Sequence, residues 1–304
     1  MRASLRRAPA TVSLVVATAA LLAGCGSTDA PQDAGKVSVV ASTNVWGDVA
    51  QQVGGDRVHV VSVISDPNAD PHSYEATGQN QLALSKAALV IENGGGYDDF
   101  MVTMLSSSAA SGVPVINAVD VSGHRAAQGQ ELNEHVWYDL PTVDKVAQEV
   151  ATRLAAADPG GQAQYAANAK AFGDKLHAIE KDVAAVRAAH QGTGVAVTEP
   201  VPLYLLQAAG LDNLTPEQFS AAVEQDTDVP PAVLQDTVAL FTDRKVKALF
   251  YNEQTGGPQT QALIDAAQAN AIAAVPMRET LPAGQDYLTW MRANVTAVTQ
   301  AVGG

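Results

Sequence analysis

The chain has 304 residues with 18 Lys and Arg against 32 Asp and Glu, a formal charge of −14. That length allows two domains of ordinary size with a sizeable core. A surface this acidic argues against nucleic acid or anionic lipid as a partner and is compatible with gathering cations.

The first segment reads as an export signal. Arg2, Arg6 and Arg7 precede an apolar run from Val12 to Ala23, followed by Gly24 and Cys25. No other run approaches the roughly 18 apolar residues of a membrane span. Removing residues 1–24 leaves 15 basic residues against 32 acidic ones, a charge of −17. Cys25 is the single cysteine, so no intramolecular disulfide is possible. Residues 26–36 are small and polar, the composition of a flexible tether.

Val37 to Ser42 is a β-branched run that predicts a strand, and Val45 to Val53 a helix closed by Gly54-Gly55. Val58 to Ile64 predicts the second strand, leading into the turn-rich Asp66-Pro67-Asn68-Ala69-Asp70-Pro71. A helix over 79–87, a strand over 88–91, a helix over 98–109 and a strand over 113–117 follow. Residues 121–130 read as a polar loop, and Leu140 to Ala156 as a helix.

Gln162 to Ala189 is one helical run without proline. Tyr165, Ala169, Phe172, Leu176, Ile179, Val183 and Val186 recur at alternating steps of four and three, a single stripe down one face. At about 1.5 Å per residue it spans roughly 42 Å, longer than a small domain is wide. The same alternation then resumes: strands over 195–198, 246–251 and 273–277, and helices over 201–209, 230–242, 259–270 and 286–302. Strands alternating with helices predict mostly parallel sheets covered on both faces. The expected fold is α/β, two parallel-sheet lobes at 37–161 and 191–304 joined by a long helix at 162–190.

In such sheets ligands collect beyond the carboxyl ends of strands. His72, His135, Glu199 and Glu279 each follow a predicted strand, two before the long helix and two after it. Imidazole with carboxylate suits zinc or manganese. Position alone does not select them, because Glu92 and Glu253 also follow strands and His59, His124, His177 and His190 are available.

The local wording does select. Asp70-Pro71-His72-Ser73-Tyr74-Glu75-Ala76-Thr77 resembles the DPHxYEPT segment of the metal-binding lipoproteins that serve bacterial ABC importers, the zinc- and manganese-binding solute-binding proteins. Ala76 stands where that family usually has proline. Asn133-Glu134-His135-Val136-Trp137-Tyr138-Asp139-Leu140-Pro141 is similar to its second signature, DPHxWLDP, with Glu134 in place of proline. Ser42 to Asp48, Gly55 to Val58 and the long helix carry the likeness further. Leu22-Ala23-Gly24-Cys25 resembles a lipoprotein signal in which the cysteine is lipidated. The resemblance implies His72 and His135 as ligands from the first lobe, and Glu199 as the third. Glu279, in Arg278-Glu279-Thr280-Leu281-Pro282, takes the place of the usual aspartate. It implies a lipid-anchored monomer on the outer face of the cell membrane that hands an ion to an ABC permease and its ATPase.

Asp70 and Glu75 are read either as orienting His72 or as capping a turn. Trp46, Trp137 and Trp290 are read as core or lobe-interface residues. His124 lies in a loop where zinc-specific relatives often carry a run of histidines, and here it is alone. No His-Glu-x-x-His helix or Gly-x-Ser-x-Gly elbow occurs, which tells against a zinc hydrolase. Four small ligand positions tell against a siderophore or corrinoid receptor, and no feature supports an adhesin. Zinc is favoured on inherent affinity, with manganese the alternative because of the two carboxylates.

Overall fold

The computed structural model describes residues 35–69, 71, 73–107, 112–126 and 131–303. Cys25, the signal segment, His72 and Asp70 lie outside the described residues. Among the described residues no helix is long and apolar enough to cross a membrane.

The first lobe contains β1 (Val37–Thr43), α1 (Asn44–Gly54), β2 (Val58–Ile64), α2 (Gly78–Leu84), β3 (Leu89–Glu92), α3 (Asp99–Ser107), β4 (Val115–Asn117) and α4 (Ala118–Ser122). Two helices follow, α5 (Leu140–Ala157) and α6 (Gln162–His190). The second lobe contains β5 (Gly194–Val197), α7 (Leu203–Ala208), β6 (Asp212–Asn213), α8 (Glu217–Glu224), α9 (Pro231–Thr242), β7 (Ala248–Asn252), α10 (Pro258–Ala269), β8 (Ala273–Met277) and α11 (Tyr287–Gly303). Both sheets are four-stranded and parallel, ordered β2-β1-β3-β4 and β6-β5-β7-β8. The two lobes therefore share one topology, although their sequences show no repeat.

Alternation along the strands explains how the lobes join. Val39, Ala41, Leu89 and Ile91 point to one side of the first sheet, and Val195, Val197, Ala248 and Phe250 to one side of the second. All eight belong to a single apolar cluster that also contains the buried stripe of α6, from Tyr165 to Val186. The alternate residues face outward into separate cores: Val40 and Val90 under α2 and α3, Ala196 and Leu249 under α9 and α10. The helix α6 packs on α1 and α5 of the first half and on α7 and α11 of the second. It is thus the floor of a core common to both lobes as well as a connection between them.

Three elements were not foreseen. The one-turn helix α4 begins in the unassigned 118–120 and runs into the expected loop at 121–122, because the Asn117 side chain accepts from the Asp120 backbone N–H and caps it. The short strand β6 and the helix α8 lie in a stretch left unassigned. A signal for α8 was present in Pro216-Glu217, with Phe219 and Ala222 three residues apart on its buried face.

Candidate metal centre

Parallel topology brings the carboxyl ends of β5, β7 and β8 together. Glu199 follows β5, Asn252 ends β7, and Glu279 follows β8. The three meet through one amide: Asn252 Nδ2 donates to Glu199 Oε2 at 2.7 Å and to Glu279 Oε1 at 2.6 Å. Thr255 donates its hydroxyl to Glu199 Oε1. Glu199 is 2 % exposed and Glu279 0 %. Two buried carboxylates sharing one donor form a strongly negative locus, the kind of place that a cation stabilises.

Asn252 is itself fixed, since its backbone N–H donates to Thr198 Oγ1 at 3.0 Å and its Oδ1 accepts from the Gln254 N–H at 3.0 Å. The strand β7 runs one residue further than expected, which makes Asn252 its last residue instead of part of a loop.

The first lobe supplies His135, which is fully buried. Its ring lies edge-on to Trp137 at 5.1 Å and to Tyr97 at 6.0 Å. Asn133 Oδ1 accepts from the His135 backbone N–H at 3.1 Å and lies 2.7 Å from Nδ1. The other end of that amide donates to the Pro200 carbonyl at 3.1 Å. This orientation assigns the proton to Nδ1, so Nε2 is the ring nitrogen that could hold a metal. Nε2 lies 3.7 Å from Glu224 Oε1, at the end of α8.

Tyr97 reaches the site from the loop after β3. Burial raises its phenol well above the ordinary value, and the Glu279 and Asp98 carboxylates and a hydrogen bond to Glu279 add to the rise. The loop is shaped by Gly94, Gly95 and Gly96, all in the left-handed region, and by Asp98, which accepts from the N–H groups of Asn93 and Gly94.

Although His72 is outside the described residues, both flanks of its segment are anchored. On one side Gln254 Nε2 donates to the Ala69 carbonyl at 3.0 Å, and Thr280 Oγ1 and Arg278 donate to the Pro67 carbonyl at 3.0 and 2.7 Å. On the other, the Tyr74 hydroxyl donates to the Val63 carbonyl at 3.1 Å. Gln254 Oε1 also accepts from the Glu279 N–H at 2.6 Å, so one side chain ties the 67–69 turn to the Glu279 loop.

Two further acids stand beside His135. The ligand atoms of Glu134, His135 and Glu224 all lie within 4.8 Å of one another. Burial pushes the Glu134 carboxyl up to about 7, with Glu131 adding repulsion. Burial, then repulsion from Glu134, Glu199 and Glu279, pushes Glu224 up to about 9. Neither acid was singled out from the sequence as a ligand.

The remaining sequence candidates sit elsewhere. Glu92 is buried and accepts from Asn117 Nδ2 at 2.9 Å. Glu253 faces outward and pairs with Arg278. His124 pairs with Asp139 at 3.0 Å and stacks on Tyr204 at 4.6 Å. Trp46, Trp137 and Trp290 are buried in the shared core, as expected.

The family described as zinc-uptake complex component A, periplasmic (ZnuA), matches residues 39–301. The manganese-binding lipoprotein MntA of Halalkalibacterium halodurans is 26% identical over 247 residues, covering 74% of this chain and 80% of its own. The zinc-binding protein TroA of Treponema pallidum is 26% identical over 249 residues, covering 80% of this chain and 79% of its own. Among solved structures, TroA superposes with a TM-score of 0.74 at 20% identity, covering 88% of this chain and 99% of its own. The solute-binding protein FpvC of Pseudomonas aeruginosa, in complex with Mn2+, gives 0.72 at 20% identity, covering 88% and 98%.

Proposed function

From the premise that this chain belongs to the zinc-uptake complex component A family, we propose that it captures one divalent transition-metal ion between its lobes. The family is one of non-enzymatic substrate-binding components of ABC importers. The ion is then passed to a membrane permease driven by its ATPase. His72, His135, Glu199 and Glu279 are the proposed ligands. Residues 1–24 are the proposed signal peptide and Cys25 the lipid attachment point of a monomer on the outer face of the membrane.

The observation that carries this reading is the Asn252 amide held between Glu199 and Glu279 at 2.7 and 2.6 Å. It holds two buried carboxylates together at the carboxyl ends of β5 and β8. Four protein ligands with no assigned open position suit capture better than catalysis.

Zinc is the proposed cargo, because a site of imidazole and carboxylate has higher inherent affinity for zinc than for manganese. Manganese is the second reading. It is favoured by the oxygen-rich surroundings, since Glu134 and Glu224 stand within 4.8 Å of the His135 ligand atom.

Metal analysis of protein purified without added metal tests the cargo. Thermal shifts with Zn2+ and Mn2+ test the ligands. Glu199→Ala and Glu279→Ala should each lose most of the metal-induced shift, and Glu92→Ala should keep it. A ligand present at a thousandfold over its dissociation constant stabilises the folded chain by about 4 kcal/mol. A full shift in Glu279→Ala would remove Glu279 from the ligand set.

A further inference from the structure

His135, Glu199 and Glu279 are all buried, which leaves the path of the ion to be explained. A cleft of about 1070 Å³ lies alongside, and Asn133, Glu134, Glu224, Gln254 and Thr255 are among its lining residues. Three of these each bond a residue of the inner site: Asn133 to His135, Thr255 to Glu199 and Gln254 to Glu279. The cleft wall is therefore the outer surface of the metal site. Among the described residues, only Glu134 and Glu224 both line the cleft and bring a carboxylate within 4.8 Å of the His135 ligand atom.

We propose that Glu134 and Glu224 form, with His135, an outer cation position through which the divalent ion passes into the inner site. The proposal rests on the metal-receptor reading above. An ion with ligand distances of about 2.0–2.2 Å would draw three donors spaced up to 4.8 Å together by small side-chain rotations. Glu224 Oε1 is a buried oxygen with no hydrogen-bond donor, facing His135 Nε2 at 3.7 Å. One imidazole nitrogen holds one ion at a time, so the outer and inner positions exclude each other. Sharing His135 makes the step between them a transfer: the ion keeps its nitrogen ligand while it exchanges Glu134 and Glu224 for Glu199 and Glu279. The outer carboxylates remain partly exposed and can meet a hydrated ion in the cleft, as His135 cannot.

The test is the rate of capture of Zn2+ and of Mn2+, each alone, by stopped-flow competition with a chelating indicator. In the E134Q/E224Q variant the association rate constant should fall about tenfold or more. Release should slow in parallel, so the dissociation constant changes less than either rate. The E131Q/D226N variant removes two charges from the same cleft away from His135 and should slow capture far less. The E134D/E224D variant keeps both carboxylates and should retain most of the rate. Circular dichroism and a cooperative melt of each metal-free variant establish that it is folded. Wild-type capture rates in E134Q/E224Q overturn the proposal, as does equal slowing in E131Q/D226N. A collapse of affinity at an unchanged association rate also overturns it, by making these acids inner ligands. A wild-type protein that binds neither ion overturns the metal-receptor reading itself, a different result from any of these.

Discussion

Asn133 and His135 are two residues apart and bonded twice: the Asn133 side-chain oxygen Oδ1 accepts from the His135 backbone N–H at 3.1 Å and from its Nδ1 at 2.7 Å. The first bond bends the chain back on itself, and the second fixes the ring plane and the tautomer. Partners of this kind typically contribute about 10–100-fold to metal affinity. Asn133→Ala should therefore weaken zinc binding by about that factor. Asn133→Asp, which keeps the acceptor, should restore most of it. Competition with a chelator of known affinity reads both values. Equal losses in the two variants would mean that the contact matters for packing alone.

Gln254 links the two halves of the site. Its amide oxygen accepts from the Glu279 N–H, and its amide nitrogen donates to the Ala69 carbonyl and to Thr280 Oγ1. Gln254→Ala should lower metal affinity about 10–100-fold, and amide exchange should rise in 65–69 and 279–281. The metal-free melting temperature should change little, because the side chain adds nothing to the apolar cores. Exchange that rises uniformly over the second lobe would refute a local latch.

Much of this architecture is legible in the chain itself. Every apolar residue assigned to the stripe of the long helix is buried in α6, because a period of 3.6 sustained over 29 residues has few other solutions. The strands at 58–64 and 273–277 match the observed bounds. The candidate site was legible only in part. His135, Glu199 and Glu279 carry local wording or follow strands, so they could be marked. Asn252, Gln254 and Glu224 could not. Their roles depend on β5, β7 and β8 lying side by side and on α8 closing over His135, and those proximities span 25 to 89 residues of sequence. Asn252 looked like the first residue of a loop, and only the strand order reveals it as the donor between two acids.

The glycine loop that delivers Tyr97 offers a third prediction. Gly94 has φ +78°, and a Cβ there would lie 2.2 Å from Asn117 Nδ2. Gly94→Ala meets both a backbone penalty of about 1–3 kcal/mol and a clash with a side chain engaged by Glu92. The metal-free protein should lose stability in urea. Metal affinity should fall as well, because displacement of the loop carries the Tyr97 hydroxyl away from Glu279. Unchanged affinity in a destabilised Gly94→Ala protein would show that Tyr97 does not help to hold Glu279 in place.

Glu92 gives a prediction in pH. Burial raises its carboxyl above the ordinary value, and the nearby Asp98 and Asp120 carboxylates add to the rise against an opposing hydrogen bond from Asn117. The folded chain therefore holds this proton more tightly than the unfolded chain, whose glutamate titrates near about 4.3. Where the folded state binds more protons, stability falls as pH rises. The contribution of Glu92 is thus most favourable below the unfolded value and is lost as pH climbs through it toward the raised folded value. Glu92→Gln imitates the protonated carboxyl and keeps an oxygen to accept from Asn117. It should melt above wild type at pH 8, and the two proteins should converge at pH 4. Melts at matched ionic strength check this, with metal removed so that binding does not mask the difference. A Glu92→Gln protein less stable than wild type at pH 8 would mean that the ionised carboxylate is the form the fold prefers.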